Sequence, residues 1–218
     1  KFIIVAAGDG SIRWYADKNT YAEEVLALYI HPDGKRWIAW TPQGFFDSSG
    51  PDAEQLFGFH VNRGPDQAGE FVRASQLRER FYNPELIAHR LDADGDARLA
   101  RVVEQRGAIS VALQHAERLK LTRRSPATVP SADGEVRLEF ALDRPLQAGE
   151  KLVVRVDGKE VDARDADASI GKQFIPLNLP PLTPGPHRVE TAARNTQQVD
   201  SEWIETRVEV AQRTLRRG

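Results

Sequence analysis

The spacing of apolar residues changes character twice along the chain. Over residues 1–62 it is the spacing of strands. KFIIVAAG is a short apolar run stopped at Gly8. The GDG of residues 8–10 signals a tight turn, and SIRWYA resumes as a β-branched and aromatic strand. VLALYI and RWIAW flank His31, Pro32, Asp33 and Gly34, a proline-glycine turn between two hairpin strands. GFF and QLFGFHV extend the series. Within WTPQGFFDSSG, residues 40–50, Pro42 and Gly44 set a turn, Phe45 and Phe46 resume a strand, and Asp47, Ser48 and Ser49 close it.

Residues 63–118 shift to a helical pattern after the connector NRGPDQAG. SQLRERFY opens at Ser75, a good N-cap residue. Asn83 followed by Pro84 reads as a second N-cap with proline at the first helical position. Leu77, Phe81, Leu86 and Leu91 supply one apolar face. DGDARLARVVEQRG predicts a third helix, capped at Asp94 or Asp96 and stopped by Gly107, and AISVALQHAERL continues helically.

Residues 119–211 return to strands. VRLEFAL places Val136, Leu138, Phe140 and Leu142 on one face and Arg137 and Glu139 on the other. KLVVRVDGKEV turns at Asp157-Gly158, a strong short-range hairpin signal. QFIPLNL, HRVETAARN and WIETRVEV follow between Pro/Gly loops. Strands at this spacing predict an immunoglobulin-like sandwich of about 90–100 residues. AQRTLRRG, with residues 212–218, reads as a basic tail or linker.

Composition narrows the function. With 218 residues, 40% hydrophobic and 28% charged, the chain has enough apolar material for a packed core. Thirty basic and 32 acidic side chains give a net charge of −2, which offers no electrostatic case for nucleic acid or an anionic membrane. No apolar run approaches the roughly 20 residues that span a bilayer. The sequence contains no cysteine, so disulfides, thiolate metal sites and a cysteine nucleophile are excluded within these residues. It begins at Lys1 with a strand pattern rather than a signal peptide, and the reading is a fragment of a longer chain.

Candidate chemistry is sparse. Asp47, Ser48, Ser49 and His60 are the residue types of a hydrolase triad, but no GxSxG elbow occurs, and DSSG reads as a turn whose short side chains bond their own backbone. DADGD, residues 92–96, has the carboxylate spacing of a calcium loop. Ala97 stands where that loop needs glycine and Val103 where it needs glutamate, so the stretch reads as an acidic helix start. The five histidines are scattered, and no metal or cofactor is expected. Trp37, Trp40, Phe45 and Phe46 are the candidate stacking surface for a ligand or partner.

GDGSIRWYAD resembles the end of a WD repeat: Asp9, Ser11, Ile12 and Arg13 match, Trp14 sits one place early, and Tyr15 takes the tryptophan position. ALYIHPDGKRWIAWTPQGFFDSS and GFHVNRGPDQAGEFVRASQLRERFYNPELIAHRL resemble a segment of bacterial multidomain proteins that carry WD repeats and a caspase-like peptidase domain. The resemblance is specific over residues 27–91 and holds only by pattern over 119–211. It implies a mainly β fold: partial β-propeller strands at 1–62, a connector of two or three helices at 63–118, and an immunoglobulin-like sandwich at 119–211. A closed propeller takes about four to eight blades, so further blades are expected before Lys1. The catalytic domain is expected after Gly218, and no catalytic residue is carried over.

The function this implies is a non-catalytic, cytoplasmic scaffold and protein-interaction segment of a bacterial caspase-like peptidase. Its partners would be other protein chains or the remainder of its own chain. Two alternatives stand beside it: a glycan- or ligand-binding β module using the exposed aromatics, and a serine hydrolase at Ser48 or Ser49. If such a peptidase cuts after basic residues, Arg216 and Arg217 are the processing site.

Overall fold

The structure, a computed structural model, describes residues 1–62, 65, 68–115, 119–161 and 171–211. The protein is mainly β, in several open sheets, with short helices. Two compact units divide it, Lys1–Ala116 and Glu117–Gly218.

In the first unit, five strands form an antiparallel meander in sequence order: β1 (Phe2–Ala6), β2 (Ser11–Asp17), β3 (Ala22–Ile30), β4 (Trp37–Trp40) and β5 (Phe46–Ser48). Local turn chemistry makes each reversal. The Asp9 carboxylate accepts from the Ser11 amide at 2.9 Å, and Gly10 takes a φ of 84°. Asp33 Oδ1 accepts from the Lys35 and Arg36 amides, and Gly34 supplies a φ of 68°. Such side-chain-to-backbone bonds are why Asp and Gly recur in turns. Helix α1 (Pro51–Glu54) follows β5 with proline at its start.

The sequence pattern misplaces three features of this unit. Asp47 and Ser48 lie inside β5 rather than in a turn, because Ala39 and Ile38 of β4 pair with them. Of QLFGFHV only β6 (Gly58–Val61) is strand, and it pairs with β7 (Glu70–Arg73), a strand hidden in the predicted connector, instead of with the meander. Ser75 caps nothing. It sits buried inside the 3-10 turn Ala74–Gln76, which is fastened by the Arg73 amide donating to Gln76 Oε1 at 3.0 Å.

Among the described residues the helices that follow are α2 (Arg78–Phe81), α3 (Pro84–Ala88), α4 (Gly95–Arg106) and α5 (Ile109–His115). Asn83 does cap α3, its side chain accepting from the Leu86 amide at 3.1 Å, with Pro84 at the first position. Asp94 is the residue before α4, but its carboxylate turns to Arg98. Gly107 ends that helix at a φ of 73°. Leu77, Phe81 and Leu86 are buried, as the apolar spacing predicts, and Leu91 is half-buried.

The described residues of the second unit form two sheets. One is three-stranded, in the order β13 (Phe174–Asn178), β10 (Arg137–Leu142), β8 (Leu121–Arg123). The other is five-stranded, in the order β12 (Lys159–Val161), β11 (Lys151–Val156), β14 (Gly185–Arg194), β15 (Ile204–Val210), β9 (Thr128–Ser131), with β9 parallel to β15. Leu138, Phe140, Leu142, Ile175 and Leu177 of the first share one apolar cluster with Leu152, Val154, Val189 and Val208 of the second. The two sheets therefore close a single core between them. Asp157 and Gly158, at φ 50° and 81°, make the β11–β12 turn that the sequence signals. Arg155 and Arg194 on β11 and β14 are buried too. The first lies over the Trp203 ring at 3.9 Å, and the second grips Asp200 with two nitrogens at 2.6 and 3.1 Å. Burial pushes the Asp200 carboxyl up to about 6.

Candidate functional site

Hairpin register decides which residues of the first unit share a face. Ser11 pairs with Tyr29, Tyr29 with Ile38 and Ala27 with Trp40, so Ser11, Tyr29, Ile38 and Trp40 lie on one face of the meander. Trp37 is three residues from Trp40, an odd separation that puts it on the other face. There it packs with Trp14, Leu26, Leu28, Ala39 and Ile87.

The Trp40 face carries a hollow of about 380 Å³. Tyr29, Trp40, Phe57, Ile38 and Leu56 give it apolar and aromatic walls, and Asp9, Ser11, Arg13 and His31 give it a polar rim. Trp40 and Phe57 stack with ring centroids 4.2 Å apart. The rim is preorganised. Ser11 donates twice to Asp9 Oδ1, and Arg13 donates to Asp9 Oδ2 at 2.8 Å and to Glu24 Oε2 at 2.9 Å. These donors, those of Ser11 first, hold the Asp9 carboxyl down at about 2. A volume of this size with aromatic walls and a few fixed polar groups has the makeup of a ligand or side-chain pocket.

The structure does not bring the four aromatics expected from sequence together. Trp37 and Trp40 face opposite ways. Phe45 and Phe46 have no exposed surface: Phe45 packs on Phe81 at 5.4 Å and Phe46 edge-on to Tyr82 at 5.7 Å. As they stand these two offer no face to a ligand. Tyr29 and Phe57 escape sequence reasoning, although the VLALYI–RWIAW hairpin already places Tyr29 on the Trp40 face. Phe57 has no such signal, because the turn after α1 brings it in.

The serines of DSSG are likewise engaged. Ser48 Oγ donates to Glu54 Oε1 at 2.9 Å, and Arg78 Nη1 meets the same oxygen. The Arg78 guanidinium also lies over the Tyr82 ring at 3.8 Å. Burial, with the Asp47 carboxylate second, pushes the Tyr82 hydroxyl up. Ser49 Oγ accepts from the Trp37 amide, and the His60 ring stacks on Phe71 at 5.3 Å. Asp47, Ser48, Ser49 and His60 thus serve separate contacts rather than one triad.

In the acidic stretch each carboxylate turns to its own basic neighbour: Asp92 to His89, Asp94 to Arg98 and Asp96 to Arg90. No group of three His, Asp or Glu side chains gathers among the described residues. Arg216 and Arg217 lie outside them. No described helix is long and apolar enough to cross a membrane.

No family model matches the chain, and no curated protein matches it. Among solved structures, it is similar to the fibronectin(III)-like modules of Clostridium thermocellum CbhA, at 14% identity over 47% of this chain and 52% of that one, with a TM-score of 0.35. A Jonesia denitrificans lytic polysaccharide monooxygenase matches at 19% identity over 40% and 60% of the two chains, with a TM-score of 0.33. CopC from Methylosinus trichosporium OB3b matches at 14% over 45% and 99%, with a TM-score of 0.31. The chain spans about half the length of the first of these and about three fifths of the second. Scores at this level leave the functional reading to the chain's own geometry.

Proposed function

We infer that the chain is a non-catalytic scaffold and protein-interaction segment of a bacterial, cytoplasmic caspase-like peptidase. In this reading the meander supplies WD-repeat-like propeller strands, and the second unit is an immunoglobulin-like sandwich. One observation carries the reading: TPQGFFDSS and RERFYNP, the stretches that resemble that family, are fastened to each other. The Asn83 amide donates to the Phe46 carbonyl at 2.8 Å, Phe46 bridges Tyr82, and Ser48, Glu54 and Arg78 join in one cluster. A motif whose side chains hold its own fold together has an architectural role, and that supports a scaffold over a serine hydrolase.

The partner, another chain or the remainder of its own, engages the hollow over Trp40. Capture of partner by the folded protein tests this: Trp40→Ala is expected to abolish capture, and unaltered capture would sink the binding role. Covalent labelling of Ser48 or Ser49 by a fluorophosphonate would overturn the non-catalytic reading. The stacked Trp40–Phe57 pair beside a hydrogen-bonding rim also favours a second reading, a sugar ring on Trp40. Saturable quenching of Trp40 fluorescence by an oligosaccharide, lost in Trp40→Ala, would establish that reading in place of the first.

A further inference from the structure

His187 of β14 is nearly enclosed, with 12% of its side chain exposed, and both of its ring nitrogens face acceptors. Nδ1 lies 2.7 Å from Asp157 Oδ2 in the β11–β12 turn, and Nε2 lies 2.7 Å from the Thr183 carbonyl oxygen. Neither of these two oxygens has a proton to give; the Thr183 hydroxyl, which has one, stands farther from Nε2 at 3.5 Å. A neutral imidazole carries one N–H and can serve one of them, whereas the imidazolium serves both.

The segment ahead of β14 depends on this grip. The Leu182 amide donates to the Gly134 carbonyl at 2.9 Å, and the Leu182 side chain packs on the sandwich core. Gly134 has a φ of 90°, and a Cβ built there would lie 2.3 Å from the Leu182 carbonyl oxygen, so segment and turn meet backbone to backbone. Thr183 is therefore fastened on one side through its neighbour and on the other through His187.

We propose that His187 is a proton-operated latch: its imidazolium ties the Leu182–Thr183 segment to the Asp157 turn, and loss of its proton releases Thr183. The neutral ring keeps its N–H on the charged acceptor, Asp157, because a bond to a carboxylate is the stronger one. Nε2 then turns a lone pair toward the Thr183 carbonyl, and attraction at 2.7 Å becomes repulsion; the Thr183 hydroxyl, 3.5 Å from Nε2, is the donor the neutral ring turns to as the carbonyl is released.

The charged groups around the ring favour the closed state. Asp157 faces it from the turn and Glu209 from β15, both anionic. Arg188, its neighbour on β14, donates its backbone amide to Asp157 Oδ1, and its guanidinium is turned to Glu190. The bond to Asp157 and then that to Thr183 raise the His187 pKa above its usual value. A raised pKa means that the latch contributes its full stability below the unfolded-state value near 6.5 and loses it as pH rises through the folded-state value.

Two measurements on the intact chain test the latch. By NMR, the His187 ring is expected to titrate above 6.5, and Asp157→Asn to bring it down by about one unit, a tenfold change in proton affinity. Protection of the Leu182 amide against hydrogen exchange, corrected for the intrinsic pH dependence of exchange, is expected to fall about tenfold as His187 deprotonates and to lose that step in His187→Gln. The latch is overturned if His187 titrates at or below 6.5. It is equally overturned if Leu182 protection follows pH identically in the unaltered chain and in Asp157→Asn, which retains the ring should His187→Gln fail to fold.

Discussion

Each unit is built on a five-stranded sheet, and the two sheets are held in different ways. The meander of the first unit runs in chain order, every strand beside its sequence neighbour. Its last strand, β5, is anchored through Phe46, Ser48 and the turn at Gly44 to helices that come later in the chain. The sheet of the second unit is assembled out of chain order, with a parallel pairing between β9 and β15, and an apolar core does the holding. A local topology can therefore rest on specific polar and aromatic fastenings, while a non-local one relies on the general attraction of buried apolar surface. Sequence exposes the second mode better than the first.

The core of the second unit is the place to strike for the largest effect. Phe140 is 1% exposed and sits in the centre of β10 between β13 and β8. Phe140→Ala removes a buried ring and leaves a cavity, and a loss of about 3–5 kcal/mol is expected in urea unfolding. A loss below about 1 kcal/mol would show that the apolar cluster is not what joins the two sheets.

That asymmetry also explains what was legible beforehand. Val136, Leu138, Phe140 and Leu142 are visible as an alternation because each answers to one large apolar face. The Asp157-Gly158 turn is visible because two adjacent positive φ values demand those residue types. The pairing of β9 with β15 leaves no local trace, since nothing in Thr128–Ser131 names a partner far along the chain. In the first unit Asp47 and Ser48 imitate a turn because their side chains are short and polar, and Asp47 does accept from the Ser48 amide at 2.8 Å, but the Tyr82 and Glu54 that also engage the pair come later in sequence. At the candidate site Trp40 is found from sequence while Tyr29, on the same face, is passed over, and nothing local says that Phe45 and Phe46 are covered by Phe81 and Tyr82.

The anchoring of β5 is next in size. Gly44 has a φ of 97°, and a Cβ built there would fall 2.5 Å from Ile109 Cβ. Gly44→Ala therefore meets backbone strain of about 1 kcal/mol and overpacking of about 1–3 kcal/mol against α5. The sum, about 2–4 kcal/mol, is checked by thermal unfolding. Gly158→Ala is the control: its φ of 81° carries the strain, but nothing lies within 4 Å, so a cost of about 1 kcal/mol is expected. Equal costs at the two positions would mean that α5 gives way, and that the turn at residues 41–45 is not pinned by it.

The smallest expected effect is the most discriminating. Glu54 is fully buried in α1 and joins Ser48 of β5 to Arg78 of α2. Glu54→Ala leaves the Ser48 hydroxyl, at 8% exposure, only the long bond to the Gly50 carbonyl at 3.4 Å, and a poorly met buried polar group costs about 1–3 kcal/mol. Arg78 keeps 28% of its side chain exposed, so its guanidinium regains water and adds little. Glu54→Gln separates the two contributions, since its amide oxygen still accepts from Ser48 while the charge opposite Arg78 is gone. If the fastening is chiefly a hydrogen bond, Glu54→Gln recovers most of what Glu54→Ala loses in a urea melt. If it recovers nothing, the ion pair carries the contact, and adding salt has little effect because a fully buried carboxylate is poorly screened.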